Sequence, residues 1–162
     1  MKKIFLLLIS CIAISCSNND DNEPFVPVAV DYSIKFRGEL GGFNYYPNSP
    51  DTEKLKITNS TEYLNYFNTL MTSPISVTFG EDYSFFPEPD FNVKDILVIN
   101  YKCISDLGQV ISIDSIIENE NTITVTYHWE QLYSGPTAPG KPFILVEVPK
   151  LTKPVVFEDI TP

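Results

Sequence analysis

The chain is poor in the residues on which most catalytic and metal sites depend. Its 162 residues include one histidine, one tryptophan and three cysteines. The histidine, His128, lies in a predicted strand, whereas a catalytic triad requires it beside a serine or cysteine nucleophile. The sequence also lacks the nucleophile-elbow, zinc-protease, CxxC and phosphate-loop patterns. It therefore predicts a protein that is not an enzyme and that uses no metal and no cofactor.

Basic side chains are also scarce. The chain has 11 lysines and arginines against 21 aspartates and glutamates. Binding to phosphates requires clustered lysine and arginine side chains. The charge balance therefore argues against nucleic acid as a partner.

The N-terminal segment has the three-part pattern of a bacterial lipoprotein signal. Lys2 and Lys3 precede the apolar run 4–14, and Ala-Ile-Ser then leads to Cys16. The alternatives are a plain secretory signal or a transmembrane helix, but the run 4–14 is shorter than the roughly 20 residues that span a bilayer. A competing lipidation site at Cys11 would leave an apolar run of only about six residues.

This resemblance implies three parts. Residues 1–15 are a signal peptide, residues 16–28 are a lipidated acidic tether that begins at Cys16, and residues 29–162 form a single β-rich domain. Loss of the signal leaves a net charge of about −12, because the signal holds two lysines and no acid. Acyl chains on Cys16 would anchor the protein. We expect it at the bacterial outer membrane, exposed at the cell surface.

Hydrophobic periodicity predicts one helix and many strands. Residues 61–71 have helical spacing, and Asn59 or Ser60 is a candidate N-cap. Asn59 with Glu62 three residues on is an imperfect capping box. The predicted packed face of this helix is Tyr63, Leu64, Phe67, Leu70 and Met71. The remaining apolar segments alternate or form short runs and predict strands at 30–38, 54–58, 75–79, 95–102, 109–117, 122–130, 143–149 and 154–158.

These elements predict a mainly β protein. The segments 109–117 and 122–130 are separated by four polar residues, which favours a hairpin. The predicted architecture is an antiparallel β-sandwich or partly open barrel with one short helix at about 61–71, and an α+β arrangement is the alternative.

Three blocks of sequence resemble the C-terminal domain of the protease complex subunit PrcB family. They are 55–67, 86–101 and 141–158, and the last, KPFILVEVPKLTKPVVFE, is the most specific. The resemblance implies a small secreted or lipid-anchored protein that associates with and stabilises a surface serine protease. The family's Gly-rich loop of the Thr-Gly-Gly-Tyr type is replaced here by 105–110, which keeps one glycine.

Two loops are candidate partner-binding surfaces. Segment 131–142 holds three prolines and two glycines, and long connections of this kind are more often functional than short ones. Segment 80–90 places aromatic residues among acids. The candidate partner-binding residues are Tyr133, Trp129, Pro136, Pro139, Tyr83 and Phe86. The plain alternatives are that Trp129 belongs to the core and that the aromatics of 80–90 cover it.

Two functions follow from these features. The first is a non-enzymatic protein-binding module, as an accessory or stabilising subunit of an exported protease. The second is a glycan-binding lipoprotein of a polysaccharide-capture system, with Trp129, Tyr133, Tyr45 and Tyr46 as stacking residues. The two differ in whether flat aromatic faces are exposed.

Lipidation can be tested directly. Cys16→Ser should release the protein from membranes, because the acyl chains supply the anchoring free energy. Detergent partitioning and globomycin-sensitive processing measure this, and Cys11→Ser is the matched control. Retention of the Cys16→Ser variant with loss of the Cys11→Ser variant would move the anchor to Cys11.

Overall fold

The computed structural model describes residues 24–41, 52–71, 76–77, 88–101, 108–131 and 140–162. Nine strands and one helix lie in these segments: β1 Val28–Ala29, β2 Ser33–Gly41, β3 Glu53–Ile57, α1 Ser60–Met71, β4 Ser76–Val77, β5 Lys94–Asn100, β6 Gln109–Glu118, β7 Ile123–Gln131, β8 Gly140–Pro149 and β9 Val155–Asp159. The strands form a four-stranded sheet, β1-β6-β7-β9, and a five-stranded sheet, β3-β5-β8-β2-β4.

The two central strands of the five-stranded sheet are apolar on both faces. On β5 and β8, Leu97 and Ile144 pack in the core between the two sheets, whereas Val98 and Leu145 pack on the opposite face. None of these four side chains is more than 1% exposed. Since alternate residues of a strand point to opposite faces, the sheet must be covered twice. The four-stranded sheet covers one face and α1 covers the other.

The helix α1 packs through aromatic side chains. The rings of Tyr63 and Phe67 lie 4.5 Å apart, and Tyr66 stacks on Phe143 of β8 at 6.5 Å. Leu64, predicted on the packed face, is 51% exposed, and that part of the prediction is wrong. Tyr66 takes its place because the buried face follows the spacing 63, 66 and 67.

The helix begins as the sequence predicts. The Asn59 side chain accepts the N–H of Glu62 at 2.9 Å, and the Glu62 carboxylate accepts the N–H of Thr58 at 2.9 Å. The reciprocal bond thus reaches one residue further back than in a standard capping box. The Thr58 N–H is also the main reason that the pKa of Glu62 is lowered.

The sandwich architecture is confirmed, with one departure from antiparallel pairing. The β6–β7 hairpin forms as predicted, and a bulge lies between Ile113 and Ser115. However, β9 pairs with β7 in parallel. Within the described residues neither sheet closes into a barrel. The predicted loop 131–142 is shorter than expected, because Gln131 belongs to β7 and 140–142 belong to β8.

One end of the sandwich, which we call the proximal pole, receives the chain at residue 24. Val28 of β1 pairs there with Glu118, next to the hairpin turn 119–122. In the other sheet, Lys94 pairs with Pro149 at the same end, because the chain passes from β8 through 150–154 into β9 beside that turn. Among the described residues, the proximal pole thus includes the entry at residue 24, the turn 119–122 and the connection 150–154.

The opposite end, the distal pole, is where three connections both leave and rejoin the described strands. Gly41 pairs with Gly140, and Gln109 pairs with Gln131. The Tyr101 N–H donates to the Pro142 carbonyl at 2.9 Å, which fixes the end of β5 beside the start of β8. Segments 42–51, 102–107 and 132–139 each begin and end at this pole, and 72–75 joins α1 to β4 there, since β4 pairs with the end of β2.

An ion pair between an exposed lysine and a buried carboxylate fastens the proximal pole. Asp95 is fully buried, and the Lys150 ammonium lies 2.8 Å from its Oδ1. The second carboxylate oxygen accepts the N–H of Leu151 at 2.9 Å. Lys150 also donates to the carbonyls of Thr58 and Phe91, at 2.9 and 3.0 Å. One ammonium group thus joins β5, the start of α1, the 91–93 turn and the end of β8.

The Lys150 cluster gives a stability prediction. Lys150→Ala should lower the free energy of unfolding by about 3 kcal/mol, since it leaves the Asp95 carboxylate buried without a counter-charge. Lys35→Ala is the control, because its pair with Glu147 is at the surface and should contribute about 0–1 kcal/mol. Urea unfolding measures both.

A double variant separates the charge effect from lost packing. Lys150→Ala should cost less in an Asp95→Asn background than in the wild type, because the neutral amide no longer requires a counter-charge. Equal costs in both backgrounds would show that the ion pair contributes nothing.

Candidate functional site

Most of the predicted site residues lie outside the described residues. These are the lipidation residue Cys16 and the partner-binding residues Tyr133, Pro136, Pro139, Tyr83 and Phe86. Trp129 is the one predicted partner-binding residue that the structure describes. The described strand ends still fix where the segment that contains Tyr133 leaves and rejoins the fold, between Gln131 and Gly140 at the distal pole.

Trp129 lies on β7 near the distal pole and is half-buried. Its ring packs against the core between the sheets, opposite Ile111, and lies 6.1 Å from the ring of Tyr101. Its backbone N–H donates to the Thr161 hydroxyl at 3.0 Å. These contacts favour a supporting role for the Trp129 ring beneath the distal pole. A direct contact of Trp129 with a partner stays a prediction.

A second buried polar group lies at the distal pole on the helix side of the five-stranded sheet. Asn100, at the end of β5, is 2% exposed and donates to the Glu53 carboxylate at 2.7 Å. Tyr66 of α1 packs beside it, and burial raises the pKa of the Tyr66 phenol. The phenol is therefore neutral at physiological pH. These contacts fix the ends of β3, β5 and α1 from which the distal connections start.

The outer face of the four-stranded sheet carries the residue types of a hydrolytic triad. The register places Ser112 directly opposite His128, and Asp114 at the bulge reaches His128 with 2.7 Å between Oδ2 and Nδ1. This grouping could not be predicted from the sequence, because it depends on the register of two strands and on the bulge. The types alone would suggest a nucleophile, a base and an orienting acid.

The hydrogen bonds of this face are not those of a triad. Ser112 donates its hydroxyl proton to Glu130 Oε1 at 2.7 Å, so its proton is directed away from His128. Arg37 of β2 approaches the same Ser112 oxygen closely and pairs with Glu130 at 2.6 Å. A nucleophile needs a base to take its proton. Here the hydroxyl serves as a link between a carboxylate and a guanidinium.

Arg37 and Tyr32 have a structural reason to lie here. The edge strand β1 covers only the last two residues of β6. Beyond it, the Ile111 carbonyl accepts Arg37 Nε at 3.0 Å and the Ile113 carbonyl accepts the Tyr32 hydroxyl at 3.3 Å. Side chains from the neighbouring sheet thus bond to backbone carbonyl oxygens that would otherwise be unpaired at an open strand edge. The same bonds join the two sheets.

The residues that carry the family resemblance have structural roles. In the block 141–158, Lys150 joins four elements, and Lys153 donates to the Asn119 carbonyl at 2.7 Å. In the block 86–101, Asp90 accepts the side-chain and backbone N–H groups of Asn92 and begins the turn before β5. Gly108, the glycine kept in segment 105–110, has φ of 91°, a conformation that favours glycine. Motifs with such contacts would determine the fold rather than the choice of a partner.

Comparisons with protein-family models, curated proteins and solved structures find no match to this chain. Among the described residues, no group of three or more histidine, cysteine or acidic side chains is placed to hold a metal ion. Over the same residues, no helix is both long and apolar enough to cross a membrane.

The link between Ser112 and Glu130 predicts a measurable pKa. The hydroxyl bond from Ser112, followed by the Arg37 side chain, lowers the pKa of Glu130 from its ordinary value of 4.5. Ser112→Ala should therefore raise the pKa of Glu130, measured by NMR titration of its carboxyl carbon. His128→Ala is the control, because its charge has the weakest influence on Glu130.

The pH dependence of the protein's stability follows from the same lowered pKa of Glu130. Because the pKa of Glu130 is lowered by folding, its stabilising contribution is present above pH 4.5 and is lost as the pH falls through the folded value. In Ser112→Ala this loss should be smaller and should be complete at a higher pH, because the folded pKa then lies closer to 4.5. An unchanged Glu130 titration in that variant would contradict the link.

Proposed function

We propose that this protein is a lipid-anchored module of the bacterial outer membrane that binds another exported protein at its distal pole and catalyses no reaction. The observation that carries the proposal is the separation of two ends. The chain enters the fold at the proximal pole, and segments 42–51, 102–107 and 132–139 leave it at the distal pole.

The distance between the two poles is about the length of one strand. Strand β8 runs from the distal to the proximal pole over ten residues, which corresponds to roughly 33 Å at the usual rise of a strand. If Cys16 is lipidated, the tether joins the membrane to the proximal pole. The distal connections, including the segment with Tyr133, then face away from the membrane, where another protein can reach them.

The rigid strand ends at the distal pole support this role. Binding residues are commonly carried on loops that a rigid scaffold positions. The scaffold here consists of the Trp129–Tyr101 ring pair and the bond from Asn100 to Glu53. Prolines in segment 132–139 reduce the entropy lost when such a loop becomes ordered on binding. Tyrosine and tryptophan are enriched among the residues that contribute most to protein interfaces.

A non-catalytic role agrees with the polar face of the four-stranded sheet. Ser112 and His128 face each other, yet the Ser112 proton is donated to Glu130 and the His128 ring is paired with Asp114. Arg37 adds bonds to the same group from the neighbouring sheet. Each of these side chains bonds to a structural partner. The group therefore supports the fold, and no basic side chain in it is left unpaired.

The resemblance to the PrcB family suggests the class of partner, an exported serine protease that the module would stabilise. The contacts of Lys150, Lys153 and Asp90 show how the similar blocks would specify a common fold. The partner-binding segment 132–139 lies between the second and third of these blocks. We therefore place specificity for the partner in the distal connections rather than in the similar blocks.

The glycan-binding alternative requires exposed flat aromatic faces. The Trp129 ring packs on the core and on Tyr101. Among the other stacking candidates, Tyr45, Tyr46 and Tyr133 lie outside the described residues. The geometry of Trp129 thus favours the protein-binding function.

The proposal predicts a separation of binding from stability. Tyr133→Ala should weaken the affinity for the partner about thirtyfold and so reduce its recovery in a pull-down, as expected for loss of a central anchor worth about 2 kcal/mol. Its melting temperature should hardly change, since a solvated loop residue usually alters stability by less than about 0.5 kcal/mol.

Two further variants complete this experiment. Val148→Ala should lose stability first, because Val148 is fully buried. Val93→Ala, an exposed residue of the proximal pole, should retain both properties. Wild-type recovery by both Tyr133→Ala and a deletion of 135–140 would remove this loop as the interface and turn attention to Tyr83 and Phe86.

A further inference from the structure

The edge strand β9 differs from the other described sheet edges. Strands β1 and β4 have only two residues each, and the uncovered part of β6 is occupied by Arg37 and Tyr32. The part of β2 that β4 leaves uncovered has a bulge and carries Lys35. The edge strand β3 carries Lys54 and Lys56, and lysine is a common device against edge pairing. Strand β9 has five residues, Val155–Asp159, and no lysine.

The hydrogen bonds of β9 show which backbone groups face outward. Ile123 donates to the Pro154 carbonyl at 2.8 Å, and Ile160 donates to the Tyr127 carbonyl at 2.9 Å. Bonds to one neighbour use alternate residues of a strand, so 154, 156, 158 and 160 face β7. The N–H and C=O groups of Val155, Phe157 and Asp159 then point away from the sheet. Among the described strands, none pairs with them.

The outer face of this strand has a simple pattern. Val156 is 43% exposed and Ile160 is 52% exposed, and the exposed acid Glu158 lies between them at two-residue spacing. Phe157 points the other way and packs against the core. A strand added beside β9 would therefore meet an apolar, an acidic and an apolar side chain in turn.

A second copy of the chain fits this edge poorly. Antiparallel pairing of two β9 strands would point their proximal poles in opposite directions, so two copies anchored to one membrane could not pair this way. Parallel pairing in register would place Glu158 beside Glu158, and like charges that face each other across strands are unfavourable.

We propose that the free edge of β9 accepts an extended segment of the exported partner, with a basic side chain between two apolar side chains at two-residue spacing. This inference rests on the proposed protein-binding function and names a second part of the interface. Backbone bonds to Val155, Phe157 and Asp159 would hold the segment, and its pairing with Val156, Glu158 and Ile160 would select it.

The probe is an acetylated and amidated peptide, Thr-Val-Thr-Lys-Thr-Val-Thr, with a control that carries Glu in place of Lys. The full chain in detergent is titrated with each peptide, and amide hydrogen exchange is followed by NMR. The Lys peptide should slow exchange at Val155, Phe157 and Asp159 at least tenfold at saturation. Glu158, whose N–H already faces β7, should change little.

A charge exchange tests the selection. The Lys peptide should bind wild type two- to fivefold more tightly than the Glu peptide, and Glu158→Lys should reverse that order. Glu120→Lys, an exposed acid in the β6–β7 turn, is the control for net charge and should leave the order unchanged. Equal effects of Glu158→Lys and Glu120→Lys would overturn the selection by Glu158.

The outcomes separate this inference from the proposed function. The inference is overturned if the Lys peptide does not protect the three edge amides from exchange. It is also overturned if these amides are fully protected without any peptide, because the chain itself would then occupy the edge. If the edge inference fails in this way while Tyr133→Ala still abolishes partner recovery, the protein-binding function stands. If wild type recovers no exported protein, the function fails irrespective of the peptide result.

Discussion

The burial of both faces of the β5–β8 pair is the constraint on which the rest of the structure depends. Leu97 and Ile144 require one apolar cover, and Val98 and Leu145 require another. A four-stranded sheet and an aromatic helix face supply them. The chain must therefore cross between the layers several times, and each crossing needs a connection that is held in place. Lys150 holds one such connection by bonding to three elements around the buried carboxylate of Asp95.

These connections make the two poles of the molecule different. At the proximal pole, Lys153 bonds the hairpin turn and lies 4.4 Å from the ring of Phe25, where the chain enters the fold. The distal pole instead consists of strand ends from which connections leave. A packed pole beside the proposed tether and a pole of connections away from it suit the proposed binding module. The free edge of β9 runs along the side between them and would extend that surface.

The group formed by Ser112, His128, Asp114, Glu130 and Arg37 shows why residue types alone do not establish catalysis. A serine, a histidine and an aspartate meet on one face, and two of them bond in the manner of a triad. The Ser112 hydroxyl bonds to Glu130 rather than to His128, so the hydrogen bonds of this face are not those of a triad. The same bonds satisfy an open strand edge and join two sheets, which is a sufficient physical reason for the group to exist.

The sequence by itself determined the features that depend on neighbouring residues. The Asn59 cap, the span of α1 and the β6–β7 hairpin follow from spacing and turn chemistry, and all were predicted. Only the tertiary structure decided the parallel pairing of β9, the exposure of Leu64 and the meeting of Arg37 with Glu130, 93 residues apart in sequence. The reason is that strand order and register are set by the sum of contacts across two sheets, whereas a local pattern records only which face of an element is apolar.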